Sequence, residues 1–148
     1  MAHEVHDGEF TLSDDPARFD LRRAHAWIGA QSYWAEGIPF ETLARACANS
    51  VTIGAFDPAG EMVAMARVVT DRATFGWLCD VFVDDSRRGA GLGKRLMAYV
   101  KGHPDLQGFR RFHLATRDAH GLYAQFGFGP LTRVDTWMEI RDPDVYRR

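Results

Sequence analysis

Two hydrophobic rhythms alternate along this chain. The stretch EFTLSDD, residues 9–15, alternates apolar and polar positions and predicts a short first strand that ends in a turn. DPARFDLRRAHAWIGAQSYW, residues 15–34, sets Phe19, Leu21, Ala24, Trp27 and Ile28 close to helical spacing. Ser13 to Asp15 offer N-caps and Pro16 suits a first helical position, so a first helix is expected here. Gly37 and Pro39 then punctuate the chain before a second short helix over about Phe40–Ala48.

The rhythm changes after residue 50. VTIGAF and EMVAMARVVT flank DPAG, whose aspartate, proline and glycine supply turn geometry, and the three together read as an antiparallel hairpin. ATFGWLCDVFV, residues 73–83, is a nearly continuous apolar run rich in aromatic and β-branched residues, which suits a strand in the sheet interior. Leu92, Leu96, Met97 and Val100 form one stripe of a further helix that GHPD ends. FRRFHLAT alternates as a strand, DAHGLYAQF is a short helix, and TRVDTWMEI is expected to close the fold as a strand. Strands followed by interleaved helix, strand, helix and strand imply a mixed α/β sheet with helices on its faces.

Composition narrows the function classes. A chain of 148 residues, 46% apolar and 26% charged, suits one folded domain over residues 1–148, and a net charge of −2 gives no global pull toward nucleic acid or membrane. Cys47 and Cys79 have neither a CxxC partner nor histidines at ligand spacing, so they read as reduced core thiols and no metal site is expected. MAHEVHDGEF lacks the regions of a signal peptide and no apolar run approaches about 18 residues, which together point to a cytoplasmic protein.

Candidate chemistry is concentrated in VDDSRRGAGLGKRL, residues 83–96. The first amides of a helix are unsatisfied donors at the positive end of its dipole, and backbone cradles a phosphate only where no Cβ intervenes. Gly89, Gly91 and Gly93 sit at that place, and Arg87, Arg88 and Lys94 add positive charge, so the turn suits a pyrophosphate. GxxxxGK[ST] is absent, and GxGxG at the fourth expected strand lacks the dinucleotide fingerprint's register.

Arg88-Gly89-Ala90-Gly91-Leu92-Gly93 resembles the [RQ]xxGx[GA] motif of the GNAT superfamily of acyl-CoA-dependent N-acyltransferases, and LYAQFGF, Leu122 to Phe128, resembles that family's tyrosine followed by a short turn and Gly-Phe. The order of elements from residue 9 to 140 is similar too. The resemblance implies a mixed α/β fold with a mostly antiparallel twisted sheet, splayed at the fourth strand and flanked by about four helices. It implies acetyl-CoA as cosubstrate in the splay, with Val83 pairing with pantetheine and the Val81 amide holding the thioester carbonyl. By the same resemblance the amides of Gly89, Gly91, Gly93 and Lys94 hold the pyrophosphate beside Arg88, and Thr116 stands where the family often has a CoA-contacting asparagine. Tyr123 would be the general acid that protonates the departing thiolate, and Gly127-Phe128 would turn the chain into the next strand.

The base departs from the family pattern. An alkylammonium must lose a proton before it attacks, and the family's Glu or His positions are held here by Cys79 and Trp77. Asp80, one position away, is the preferred base if a bulge turns it toward the cleft; a structural ion pair, His120 or a water relay are the other readings. By the same resemblance the acceptor pocket draws on the loop between the first two helices, where QSYWAEGIP offers Tyr33, Trp34 and Glu36, while Arg67 and Arg72 offer a site for a carboxylate. These cues disagree on the acceptor's charge.

The expected function is therefore N-acetyl transfer from acetyl-CoA to a primary amine of a small molecule, by direct attack in a ternary complex. Acylation of a protein lysine or N-terminus, and a noncatalytic CoA-binding module, are the alternatives. Nucleic acid and membrane are not expected partners, and a homodimer is possible through the late strand.

Overall fold

The structure, a computed structural model, describes residues 1–148. Six strands, β1 Glu4–Asp7, β2 Phe10–Ser13, β3 Val51–Phe56, β4 Met62–Thr70, β5 Phe75–Val83 and β6 Arg111–Leu114, lie side by side in chain order in one sheet. The pairings from β1 to β5 are antiparallel and β5 pairs with β6 in parallel. Four helices, α1 Leu21–Gln31, α2 Phe40–Ala48, α3 Leu92–Gly102 and α4 His120–Ala124, accompany it. The expected mixed α/β architecture is borne out.

The core divides at the sheet. Leu92, Leu96, Met97 and Val100 of α3 bury against Val51, Ile53, Ala64, Ala66, Val68 and Leu78 on one face, while Ala24, Trp27 and Ile28 of α1 and Leu43 of α2 bury with Phe56, Met62, Met65 and Phe82 on the other. β3 is buried at every position, which is what its unbroken apolar run requires of a strand covered on both faces. β5 differs from the interior strand expected for it: β6 flanks only Phe75 to Leu78, and Phe75 and Trp77 reach solvent.

Three boundaries differ from the sequence reading. The first helix begins at Leu21 because Asp20 caps it, accepting the Arg23 amide at 3.0 Å, whereas the earlier candidates have other partners. Ser13 Oγ accepts from the Asp15 amide, Asp15 from the Ala17 amide, and Asp14 from the His3 amide and His103. β1, formed by EVHD, is an additional edge strand that shifts the expected fourth strand to β5. TRVDTWMEI forms no strand; a 3-10 turn at Val134–Thr136 interrupts it and Val134, Met138 and Ile140 face solvent. Its alternation is broken by Arg133 in the left-handed region at φ 54, and Trp137 instead lies across β6, 4.7 Å from the His113 ring centroid.

The splay follows from two features of β5. Ala66 of β4 stands opposite both Asp80 and Val81, because the register shifts between Met65 and Arg67, and Asp80 takes φ 51 to make the bulge. β6 ends its pairing at Leu78, so the β6 side of β5 from Cys79 to Val83 is left without a partner strand.

Candidate active site

A cleft of about 560 Å³ opens at that splay. β5 contributes Trp77 to Val81, the segment after β6 contributes Leu114 to Ala119, α4 contributes Tyr123, and the loop between α1 and α2 contributes Tyr33 and Trp34. Seven residues singled out from the sequence thus meet in one place: Tyr33, Trp34, Arg67, Asp80, Val81, Thr116 and Tyr123 all line it. Glu36 and Arg72 do not. Glu36 is exposed outside the cleft, and Arg72 pairs with Asp105 on the surface at 2.6 Å.

At the other end of the open strand, β5 runs through a 3-10 turn at Asp85–Arg87 into α3. The backbone amides of Gly89, Gly91, Leu92, Gly93 and Lys94 find no acceptor within the fold. Gly91, at φ 75, caps α3 in the left-handed region, and a Cβ there would also come 3.2 Å from Arg95 Nη1. Gly93 has a second reason to be small: a Cβ would stand 3.3 Å from Leu122, next to Tyr123 on α4. Arg88 and Lys94 lie exposed beside these amides. Arg87 has a structural task instead, because it donates to buried Asp57 at 2.7 Å, and Asp57 also accepts the Ala59 and Glu61 amides in the β3–β4 turn. The arginine therefore ties the loop to the hairpin.

Inside the cleft, Asp80 is buried and both its oxygens are engaged. Oδ1 accepts from Trp34 Nε1 and Oδ2 from Arg67 Nε, each at 2.8 Å. Arg67 donates on to Ser50 Oγ at 3.0 Å. Burial works against the Arg67 charge, but neighbouring Cys79 and Asp80 outweigh it and raise its pKa. Its guanidinium is thus committed to the protein, which differs from the acceptor-binding task expected of it. Both thiols near this pair are inert: burial pushes Cys79 up to about 12 and Cys47 up to about 11, so neither offers a thiolate for an acyl-enzyme.

Tyr123 is 8% exposed and borders the cleft. Burial, with Tyr33 and Asp118 acting in the same direction, raises its pKa above the ordinary value, so the phenol stays protonated at neutral pH. Thr116 Oγ1 accepts the Ala119 amide at 3.1 Å at the entry to α4, and its own hydrogen remains free to donate. Arg117 and Tyr146 also line the cleft, and sequence reasoning missed both. Tyr146 arrives from the C-terminal 3-10 turn Val145–Arg147 and packs beside the α1–α2 loop, where its carbonyl lies 3.4 Å from a Cβ built on Gly37. No local spacing signals such an approach over more than 100 residues.

An open β5 edge, unspent amides at a helix N-terminus and a buried neutral phenol form the combination that acyl-CoA chemistry needs. The comparisons agree. A protein of Xanthomonas campestris pv. campestris described as belonging to the GNAT family is 43% identical in sequence and superposes with a TM-score of 0.92 over 97% of this chain and 100% of its own. A Gibberella zeae protein assigned as an acetyltransferase, FG08082, is 26% identical over 140 residues, 80% of this chain and 77% of its own. A Deinococcus radiodurans structure, 19% identical, shares the fold with a TM-score of 0.70 over 96% of this chain and 95% of its own. The model of the acetyltransferase (GNAT) family matches residues 17–128, and the chain belongs to that family of acyl-CoA-dependent acetyltransferases.

Proposed function

We propose that residues 1–148 act as one catalytic unit that transfers the acetyl group of acetyl-CoA to a primary amine of a small molecule. The observation that carries this reading is the line from the open edge of β5, past Val81 and Val83, to the unspent amides of Gly89, Gly91, Gly93 and Lys94. An extended pantetheine arm fits along the first, and the pyrophosphate fits at the second, with Arg88 and Lys94 adding charge and the Thr116 hydroxyl a further donor. The concave shape and aromatic walls of the cleft support a small acceptor over a protein side chain.

In this reading the amine attacks the thioester carbonyl directly. The C–N bond forms first and gives a tetrahedral oxyanion held by the Val81 amide; as it collapses, the C–S bond breaks and the nitrogen releases its second proton to solvent. Tyr123 gives its proton to the departing CoA sulfur and recovers one from solvent. Asp80 is the buried anion of the acceptor end: Trp34 and Arg67 hold its oxygens in place, and the remaining lone pairs receive the ammonium's proton directly or through one water. Cys47 and Cys79, both free thiols, fit a reducing cytoplasm, and no helix is long and apolar enough to cross a membrane. The exposed side chains of Val134, Met138 and Ile140, near an unpartnered β6 edge, fit a second copy of the chain.

The test is CoA release from acetyl-CoA across a panel of small amines, with Tyr123→Phe as control. Release with at least one amine, well above that control, is expected; equal rates throughout would refute the reading. Sedimentation equilibrium that gives only a 16.7 kDa species would refute the dimer.

A further inference from the structure

Arg67 and Arg117 are the two arginines that line the acceptor cleft, and their situations are opposite. Arg67 is spent on Asp80 and Ser50. Arg117 is exposed at the mouth, has no carboxylate within ion-pair distance, and is aimed by a single residue. Its guanidinium carbon lies 3.9 Å from the centroid of the Tyr33 ring, and its backbone amide donates to the Tyr33 hydroxyl at 3.0 Å. Tyr33 therefore grips Arg117 at both ends. Stacking covers one face of the guanidinium and leaves its N–H edges, which are the part that recognises a carboxylate.

The same contacts continue inward. The Tyr33 ring meets Trp34 edge to face, with centroids 5.0 Å apart, and the Trp34 indole donates to Asp80. One wall of the cleft thus runs from a buried anion at the β5 bulge, across two aromatic rings, to an unpaired cation at the mouth. Trp77 and Tyr146 add further aromatic surface to the same cleft. Resting on the acetyl-transfer reading above, we infer that Arg117 is the specificity-determining residue for the acceptor, and that the acceptor is an amine that also carries a carboxylate and has an apolar or aromatic body. Asp80 takes the ammonium end and Arg117 the carboxylate end. This resolves the disagreement over charge in the sequence: both signs are present, at opposite ends of one site.

Matched acids and amides test it without requiring turnover. The reaction products of two candidate acceptors, 4-(acetamidomethyl)benzoate and 6-acetamidohexanoate, are titrated against their carboxamides into the full-length protein, with quenching of tryptophan fluorescence as readout. For at least one pair the acid should bind about 10-fold or more tightly than the amide, since charge-assisted bidentate contacts are roughly twice as strong as neutral ones. Arg117→Met, which keeps the aliphatic stem over Tyr33, should bring that ratio near one, and Arg117→Lys should keep part of it. In the amine panel, the free acid of the same acceptor should be acetylated in preference to its amide, and Arg117→Met should lose this through KM for the acid. Equal binding of acid and amide in both pairs, or a preference that survives Arg117→Met, overturns the inference. Acid-selective binding without any acetyl transfer would instead sink the catalytic reading and leave Arg117 as the carboxylate reader.

Discussion

Replacing Asp80 with alanine separates its structural task from its chemical one. The carboxylate holds Arg67 Nε and Trp34 Nε1, each at 2.8 Å. The Arg67 side chain is 13% exposed, so alanine strands a nearly buried cation whose remaining partner is the Ser50 hydroxyl. Breaking a buried pair from one side costs about 3–5 kcal/mol. Position 80 sits at φ 51, where alanine adds about 1 kcal/mol of left-handed strain. Trp34 is 42% exposed, and water replaces the bond its indole loses. The expected loss is about 4–6 kcal/mol, a large part of the roughly 5–15 kcal/mol that holds an ordinary domain together. Asparagine tolerates the left-handed region and still offers one oxygen, so Asp80→Asn should cost only about 1–3 kcal/mol.

Urea unfolding followed by far-ultraviolet dichroism reads both variants, and Arg67→Met completes a cycle. Removing both partners should be less costly than removing Asp80 alone, with a coupling of about 2 kcal/mol or more. Asp80→Asn, still folded, should lower kcat by at least about 100-fold because the acceptor's proton has lost its destination. Stability of Asp80→Ala within about 1 kcal/mol of wild type, or a coupling near zero, would refute the buried-pair reasoning. An unchanged rate in Asp80→Asn would leave Asp80 as a strut and remove it from the chemistry.

Tyr123→Phe should keep the fold and the affinity for acetyl-CoA while kcat drops about 100-fold or more, and burial should put the wild-type enzyme's alkaline limb above about pH 10, as a pH profile of both proteins would reveal. Gly91→Glu places a side chain at φ 75 and a negative charge among the unspent amides; calorimetry should find CoA binding weakened at least about 100-fold, and unchanged affinity would remove the pyrophosphate site from α3. Tyr146→Ala should raise KM for the acceptor several-fold with KM for acetyl-CoA much less affected, because Tyr146 lines the cleft beside the α1–α2 loop that carries Tyr33 and Trp34. Burial alone would raise the Asp14 pKa, but hydrogen bonds from His103 and the His3 amide outweigh it and hold the value below the ordinary range. The pair therefore stabilises the protein above about pH 4, and that stability fades as pH falls through the native pKa. Urea midpoints should put Asp14→Asn about 2 kcal/mol below wild type at pH 7, with the gap closing only in acid.

The sequence was most legible where function and structure are local. Phe40–Ala48 carries its periodicity in nine successive residues, and α2 forms there. The glycines at 89, 91 and 93 precede an apolar helical stripe, and the amides they leave open depend only on the start of α3. Tyr123 stands out in the sequence because a Gly-Phe pair follows it within a few residues. TRVDTWMEI misled for the same reason: alternation states that a strand is possible, whereas pairing depends on a neighbouring edge and on a backbone that Arg133 bends away.

What the tertiary structure alone decided concerns direction and partnership. Asp80 was a residue next to the expected base positions until the two-for-one register against Ala66 turned it into the cleft. Arg67 looked available in the sequence, and only the antiparallel pairing of β4 with β5 brings it against Asp80 and consumes its charge. Arg117 and Tyr33 are separated by 84 positions, so their stacking has no signature in either segment. Local sequence determined which segments would coil and which amides the start of α3 would leave free, because those properties are set by neighbours a few bonds away. The charge and shape of the cleft came from contacts between distant segments, because a side chain's partner is chosen by the packing of the whole sheet and its helices.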